Sequence, residues 1–129
     1  MSLVAEHMSR DLLVVDSAST IGAAAREMAS RNVGTVLVVD DGRLVGILTE
    51  RDVLRAVAGG WDENEPVSAR MTPNPETAES EDTTDHAATL MIHGGFRHLP
   101  IVDGQDIVGI LSIRDLVRVA LADAAPRGA

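Results

Sequence analysis

Gly46-Ile47-Leu48-Thr49-Glu50-Arg51-Asp52 and Gly109-Ile110-Leu111-Ser112-Ile113-Arg114-Asp115 are two copies of one stretch, displaced by a step of 63 residues. In each copy an apolar run, Leu44 to Leu48 or Ile107 to Leu111, has the length and composition of a buried strand. A helical pattern starts immediately afterwards, so Thr49 and Ser112 fall at a strand-to-helix corner. There a hydroxyl can accept from an unpaired N–H of the first turn, and an acid three positions later can reach back to close a capping box. Helix capping alone is one sufficient reading of Thr49-x-x-Asp52. Its recurrence in register as Ser112-x-x-Asp115 asks for a second.

The same offset extends outward in both directions. It pairs Val39 with Val102, Asp40 with Asp103, Val45 with Val108 and Arg55 with Arg118, and earlier Met8 with Met71, Thr20 with Thr83, Ala24 with Ala87 and Met28 with Met91. Nearly the whole chain is therefore two copies of a unit of about sixty residues, small for burying a core alone, so the two are expected to pack together as one module. The boundaries expected from the repeat are residues 4–58 and 67–122, with a connector at 59–66 and a frayed tail at 123–129.

Within the first copy, Leu12 to Val15 reads as a strand. Thr20 to Arg31 reads as a helix with Ile21, Ala24, Ala25 and Met28 on its apolar stripe. Thr35 to Val39 and Arg43 to Leu48 flank Asp40-Asp41-Gly42, a tight hairpin signal, and Arg51 to Ala58 is a helix stopped by Gly59-Gly60. The unit is thus β-α-β-β-α, and the fold class is mixed α/β (α+β). The second copy repeats this order through Leu99 to Val102, Ile107 to Leu111 and a last helix, Ile113 to Ala122. It departs at Pro75-Glu76-Thr77-Ala78, a poor strand, and the acidic stretch from Glu76 to Asp85 is expected to be loose.

Composition narrows the function. The 129 residues are 45% hydrophobic with one Trp and one Phe, so the core is aliphatic. The absence of Cys excludes disulfides, thiol catalysis and thiolate metal sites, and fits a reducing cytoplasm. A net charge of −9, with eleven Arg scattered along the chain and no Lys, argues against a nucleic-acid partner. No apolar run reaches the length of a membrane span or of a signal peptide. Arg does suit a small phosphate, because its planar fork holds oxyanions bidentately. No nucleophile, base and oxyanion-hole set is present and no Gly-rich phosphate loop precedes a helix, so no catalytic residue is expected. His86 and His93 lie two helical turns apart, too far to share a metal ion.

The duplicated order, spacing and D-x-x-x-(L/I)-V-G-I-L-(S/T)-x-x-D stretch resemble the cystathionine β-synthase (CBS) domain, whose tandem pairs are called Bateman modules. The resemblance implies two pseudo-symmetric units whose clefts bind adenosine-containing ligands such as AMP, ADP, ATP or S-adenosylmethionine, with NAD a further option. It places Thr49 with Asp52, and Ser112 with Asp115, on the ribose hydroxyls. Arg97 and His98 stand where family members often carry phosphate-binding basic residues, whereas the first copy has Gly34 and Thr35, so the two clefts are chemically unequal. The resemblance further implies a regulatory module rather than an enzyme, acting on an unidentified protein target. It also implies a homodimer, for which Val53, Leu54, Val57, Leu116, Val117 and Ala120 are candidate face residues. The alternative is an oligomerisation module whose clefts are vestigial.

Overall fold

The hairpins form where continuous aliphatic runs meet a turn that their twist accepts. In the computed structural model, which describes residues 2–124, β2 (Thr35–Asp40) and β3 (Arg43–Thr49) pair antiparallel from Thr35↔Thr49 to Asp40↔Arg43. Asp41 and Gly42 both take positive φ, 52° and 76°, as a two-residue turn between right-twisted strands requires. The second hairpin, β5 (His98–Asp103) with β6 (Asp106–Ser112), repeats this register from His98↔Ser112, and the ladder shifts after Val38 and after Ile101, equivalent places. Helices α1 (Ile21–Arg31), α2 (Glu50–Ala58), α3 (Thr84–Gly94) and α4 (Ile113–Ala124) complete the pattern. Thr20 and Thr83 cap α1 and α3 by accepting from Ala23 N and His86 N, each at 3.1 Å. The last helix thus runs past its expected end through Ala124, and the rest of the expected tail lies outside the described residues.

The chain forms two compact units, and they differ from the sequence repeats. Leu12–Pro75 is a mid-chain unit, while the segments before Leu12 and after Pro75 build a split unit. The two lead-ins are exchanged relative to boundaries at 4–58 and 67–122. Val4 donates to Asp82 O and Ala5 to Ser80 O, at 2.8 and 2.9 Å, in the split unit. Val67 donates to Ser19 O at 2.8 Å and Ile21 to Glu65 O at 2.9 Å in the mid-chain unit. The short connector explains the exchange: Glu63 and Glu65 run back along the start of α1, so the segment after them pairs with the unit the chain has just left. β4 (Thr72–Pro73) then adds to β3 beside Gly46 and Ile47, and β1 (Val14–Val15), two residues shorter than expected, lies parallel on the other side of β2.

Each unit has its own aliphatic core. Ile21, Ala24, Met28, Val36, Val38, Leu48 and Val67 are buried in one; Val4, Met8, Ala87, Met91, Leu99, Ile101 and Leu111 in the other. The acidic stretch after Pro75 is tied down rather than loose. Ala78 N donates to Pro100 O and Val102 N to Ala78 O, so a single parallel bridge, Ala78↔Ile101, stands where the first copy has β1. Ser80 donates from both N–H and hydroxyl to the Asp103 carboxylate, at 2.9 and 2.5 Å.

That contact recurs as Ser17 N–H to Asp40 Oδ1 at 2.9 Å. The serine hydroxyl first, and the serine N–H second, hold Asp40 and Asp103 below the ordinary carboxylate value. Because the folded values are depressed, the stabilisation is present at neutral pH and is lost as pH falls through them. Unfolding by urea is therefore expected to need less denaturant below about pH 4 than at neutral pH. The variant D40N/D103N is expected to lower neutral stability and flatten that acid limb. An unchanged acid limb in the variant would assign the decline to other carboxylates.

Candidate functional site

The strand-to-helix corners expected to carry function are built alike in the two units. At the first, Asp52 Oδ2 accepts from Thr49 N at 2.9 Å and from Thr49 Oγ1 at 3.1 Å, while Thr49 Oγ1 accepts from Asp52 N at 3.3 Å. At the second, Asp115 Oδ2 accepts from Ser112 N at 2.8 Å and Ser112 Oγ at 3.0 Å, and Ser112 Oγ accepts from Asp115 N at 3.2 Å. Both are complete capping boxes, so local helix initiation does account for part of the motif. The carboxylate's share of each box falls on one oxygen, Oδ2. Asp52 Oδ1 stands outside the box, and Asp115 Oδ1 is met by the exposed Arg118 guanidinium at 3.5 Å. All four residues are half-buried.

Each corner has the same two neighbours. The first helical residue donates to the carbonyl of the residue before the facing strand, Glu50 N to Gly34 O at 2.9 Å and Ile113 N to Arg97 O at 2.8 Å. Across the ladder, Thr35 pairs with Thr49 and His98 with Ser112, and cross-strand partners present side chains on one face. His98, half-buried, is therefore brought beside Ser112, and Arg97, exposed, adjoins the same corner through its backbone carbonyl. At the other corner Thr35 Oγ1 is buried with no hydrogen-bond partner among the described residues, unusual for a buried hydroxyl.

Glu50 was not singled out from the sequence. Its carboxyl group lies against Gly34: a Cβ built there would be 3.2 Å from Glu50 Cδ and 3.3 to 3.4 Å from its oxygens. The signal was available, since position 50 is acidic where its counterpart, Ile113, is apolar. Among the described residues no three His, Asp or Glu side chains gather as a metal set.

The profile of the CBS domain matches residues 4–59 and 67–122. The CBS domain-containing protein YhcV of Bacillus subtilis is 38% identical over 117 residues, which cover 90% of this chain and 84% of that protein. Several other curated relatives are longer, and the chain spans 16% to 43% of their length. Among solved structures, the CBS domain pair of protein MJ0100 in complex with 5′-methylthioadenosine and S-adenosyl-L-methionine superposes with a TM-score of 0.87 at 29% identity, covering 95% of this chain and 98% of that one. The CBS domain protein PAE2072 of Pyrobaculum aerophilum, complexed with AMP, gives 0.85 at 31% identity over 95% and 97% of the two chains.

Proposed function

The chain belongs to the CBS domain family as a tandem pair, and on that premise we propose that it is a regulatory module that binds an adenosyl ligand of the AMP, ADP or ATP class and does no chemistry. The observation that carries this reading is the half-buried hydroxyl–carboxylate pair at the same corner of both units, in a chain whose similar structures hold AMP or 5′-methylthioadenosine with S-adenosylmethionine. Adjacent ribose hydroxyls are two donors, and a carboxylate with one oxygen outside its capping box can accept from them. Arg97 supplies positive charge, and His98 a further polar contact, for phosphate at the Ser112–Asp115 corner. Occupancy would bias the chain's conformational population, which a cytoplasmic protein target then reads.

A thermal-shift series with AMP, ADP, ATP, S-adenosylmethionine and NAD against a guanine nucleotide tests the reading. Adenine ligands are expected to raise the melting temperature, because a ligand that binds only the folded state stabilises it. Arg97→Ala is expected to remove most of the extra shift given by AMP over adenosine, leaving the adenosine shift intact. No shift with any adenine ligand would favour an oligomerisation module with vestigial clefts.

The helices also present apolar side chains to solvent, at 68% and 47% exposure for Leu54 and Val57 and 51% and 66% for Val117 and Leu121. Val53 and Leu116, also expected on such a face, pack instead against the cores of their own units. We take the exposed residues of α2, and separately those of α4 with Ala120, as self-association surfaces of a homodimer, since solvated apolar stripes of this kind mark interaction sites. Light scattering at micromolar concentration is expected to give twice the chain mass. A monomer mass with and without ligand would remove the dimer.

A further inference from the structure

Three positions around the two corners differ in one consistent direction. Gly34, Thr35 and Glu50 stand in the mid-chain unit where Arg97, His98 and Ile113 stand in the split unit. With His neutral, these positions carry one negative charge at the first corner and one positive charge at the second. The first turn of α2 accordingly holds two carboxylates, Glu50 and Asp52, whereas that of α4 holds Asp115 alone. We propose that Glu50 makes the Thr49–Asp52 site a receptor for adenosyl ligands that carry no phosphate, neutral or cationic at the 5′ position, while the Ser112–Asp115 site takes phosphorylated ones. This rests on the reading of both corners as adenosyl sites and assigns them different ligand chemistry.

The geometry supplies the reason. Glu50 lies over the backbone of Gly34, where the other unit begins the Arg97 side chain. A helix N-terminus attracts anions through its dipole, and the Glu50 carboxylate in the first turn of α2 offsets that attraction. A phosphate approaching the same turn is repelled by a like charge, whereas a sulfonium or a neutral thioether is not. The buried Thr35 Oγ1 facing Thr49 is an uncharged partner suited to a neutral polar atom. Glu50 is exposed, so solvent screens its effect. Discrimination of about fivefold follows for a phosphate dianion at low salt, shrinking as salt rises.

Calorimetry on the Asp115→Ala variant of this chain, which leaves the Thr49–Asp52 site, tests this with 5′-methylthioadenosine, S-adenosylmethionine and AMP. Because Asp115 caps α4, Asp115→Asn, which keeps a carbonyl oxygen for the Ser112 N–H, is run beside it. Both are expected to bind the two thio ligands about fivefold more tightly than AMP, and adding Glu50→Gln should close the gap between 5′-methylthioadenosine and AMP by tightening AMP, with 5′-methylthioadenosine unchanged and the cationic S-adenosylmethionine weakened. AMP bound as tightly as 5′-methylthioadenosine, or an unchanged ratio after Glu50→Gln, overturns the role of Glu50. If both Asp115 variants melt cooperatively yet bind none of the three ligands that the parent binds, the Thr49–Asp52 corner is not a ligand site and the assignment falls with it.

Discussion

Asp52→Ala and Asp115→Ala are each expected to weaken adenosine binding at their own corner by about 1.5 to 3 kcal/mol, the range for hydrogen bonds to a charged group. The structure complicates a bare affinity measurement, because the same carboxylates close the capping boxes of α2 and α4 through Oδ2. Losing a cap costs about 1 kcal/mol of stability by itself. A cycle between protein and ligand separates the two effects. If Asp52 and Asp115 hold the ribose, the parent prefers adenosine to 2′,3′-dideoxyadenosine, and that preference vanishes at the substituted corner while the dideoxy ligand binds as before. Equal losses for both ligands would mean that the carboxylates act only by starting their helices.

Gly109→Ala is expected to destabilise the chain by about 3 kcal/mol and Gly46→Ala by about 1 kcal/mol, the upper and lower parts of the range for overpacking a core. Both glycines sit in strands three residues before the site hydroxyl, and each is covered by the methionine of an exchanged lead-in. A Cβ on Gly109 would meet Met8 Cγ at 2.8 Å and the backbone oxygen of Ser9 at 3.0 Å. Met8 is 9% exposed and Ser9 is bonded to Ile110 in both directions, so neither can retreat cheaply. On Gly46 the three atoms nearest the added carbon all belong to the Met71 side chain, which is half-buried and can swing toward solvent. Urea unfolding of the two variants measures the difference. Equal, small losses would show that the lead-in of the split unit yields as readily as its counterpart.

The corners were legible because everything that makes them is local. Thr49 to Asp52 and Ser112 to Asp115 are three residues apart, the distance a capping box spans, and both boxes are present. The contrast of Gly34 and Thr35 with Arg97 and His98 was also readable, since a constant offset lays one copy over the other. The companion contrast of Glu50 with Ile113 stood at the same offset. It went unread because an acid at a helix start is explained by the helix alone.

Sequence alone determined the duplication, the hairpins, the capped corners and the unequal charge around them, all properties of short-range pattern and of one repeated offset. Only the tertiary structure decided which lead-in completes which unit, since Val4 and Asp82 come from opposite copies and meet through backbone groups that every residue carries. It likewise decided that the acidic stretch after Pro75 is held in place. Asp103 reaches it from the facing hairpin, and no period within Glu76 to Asp85 announces a partner supplied from elsewhere in the chain.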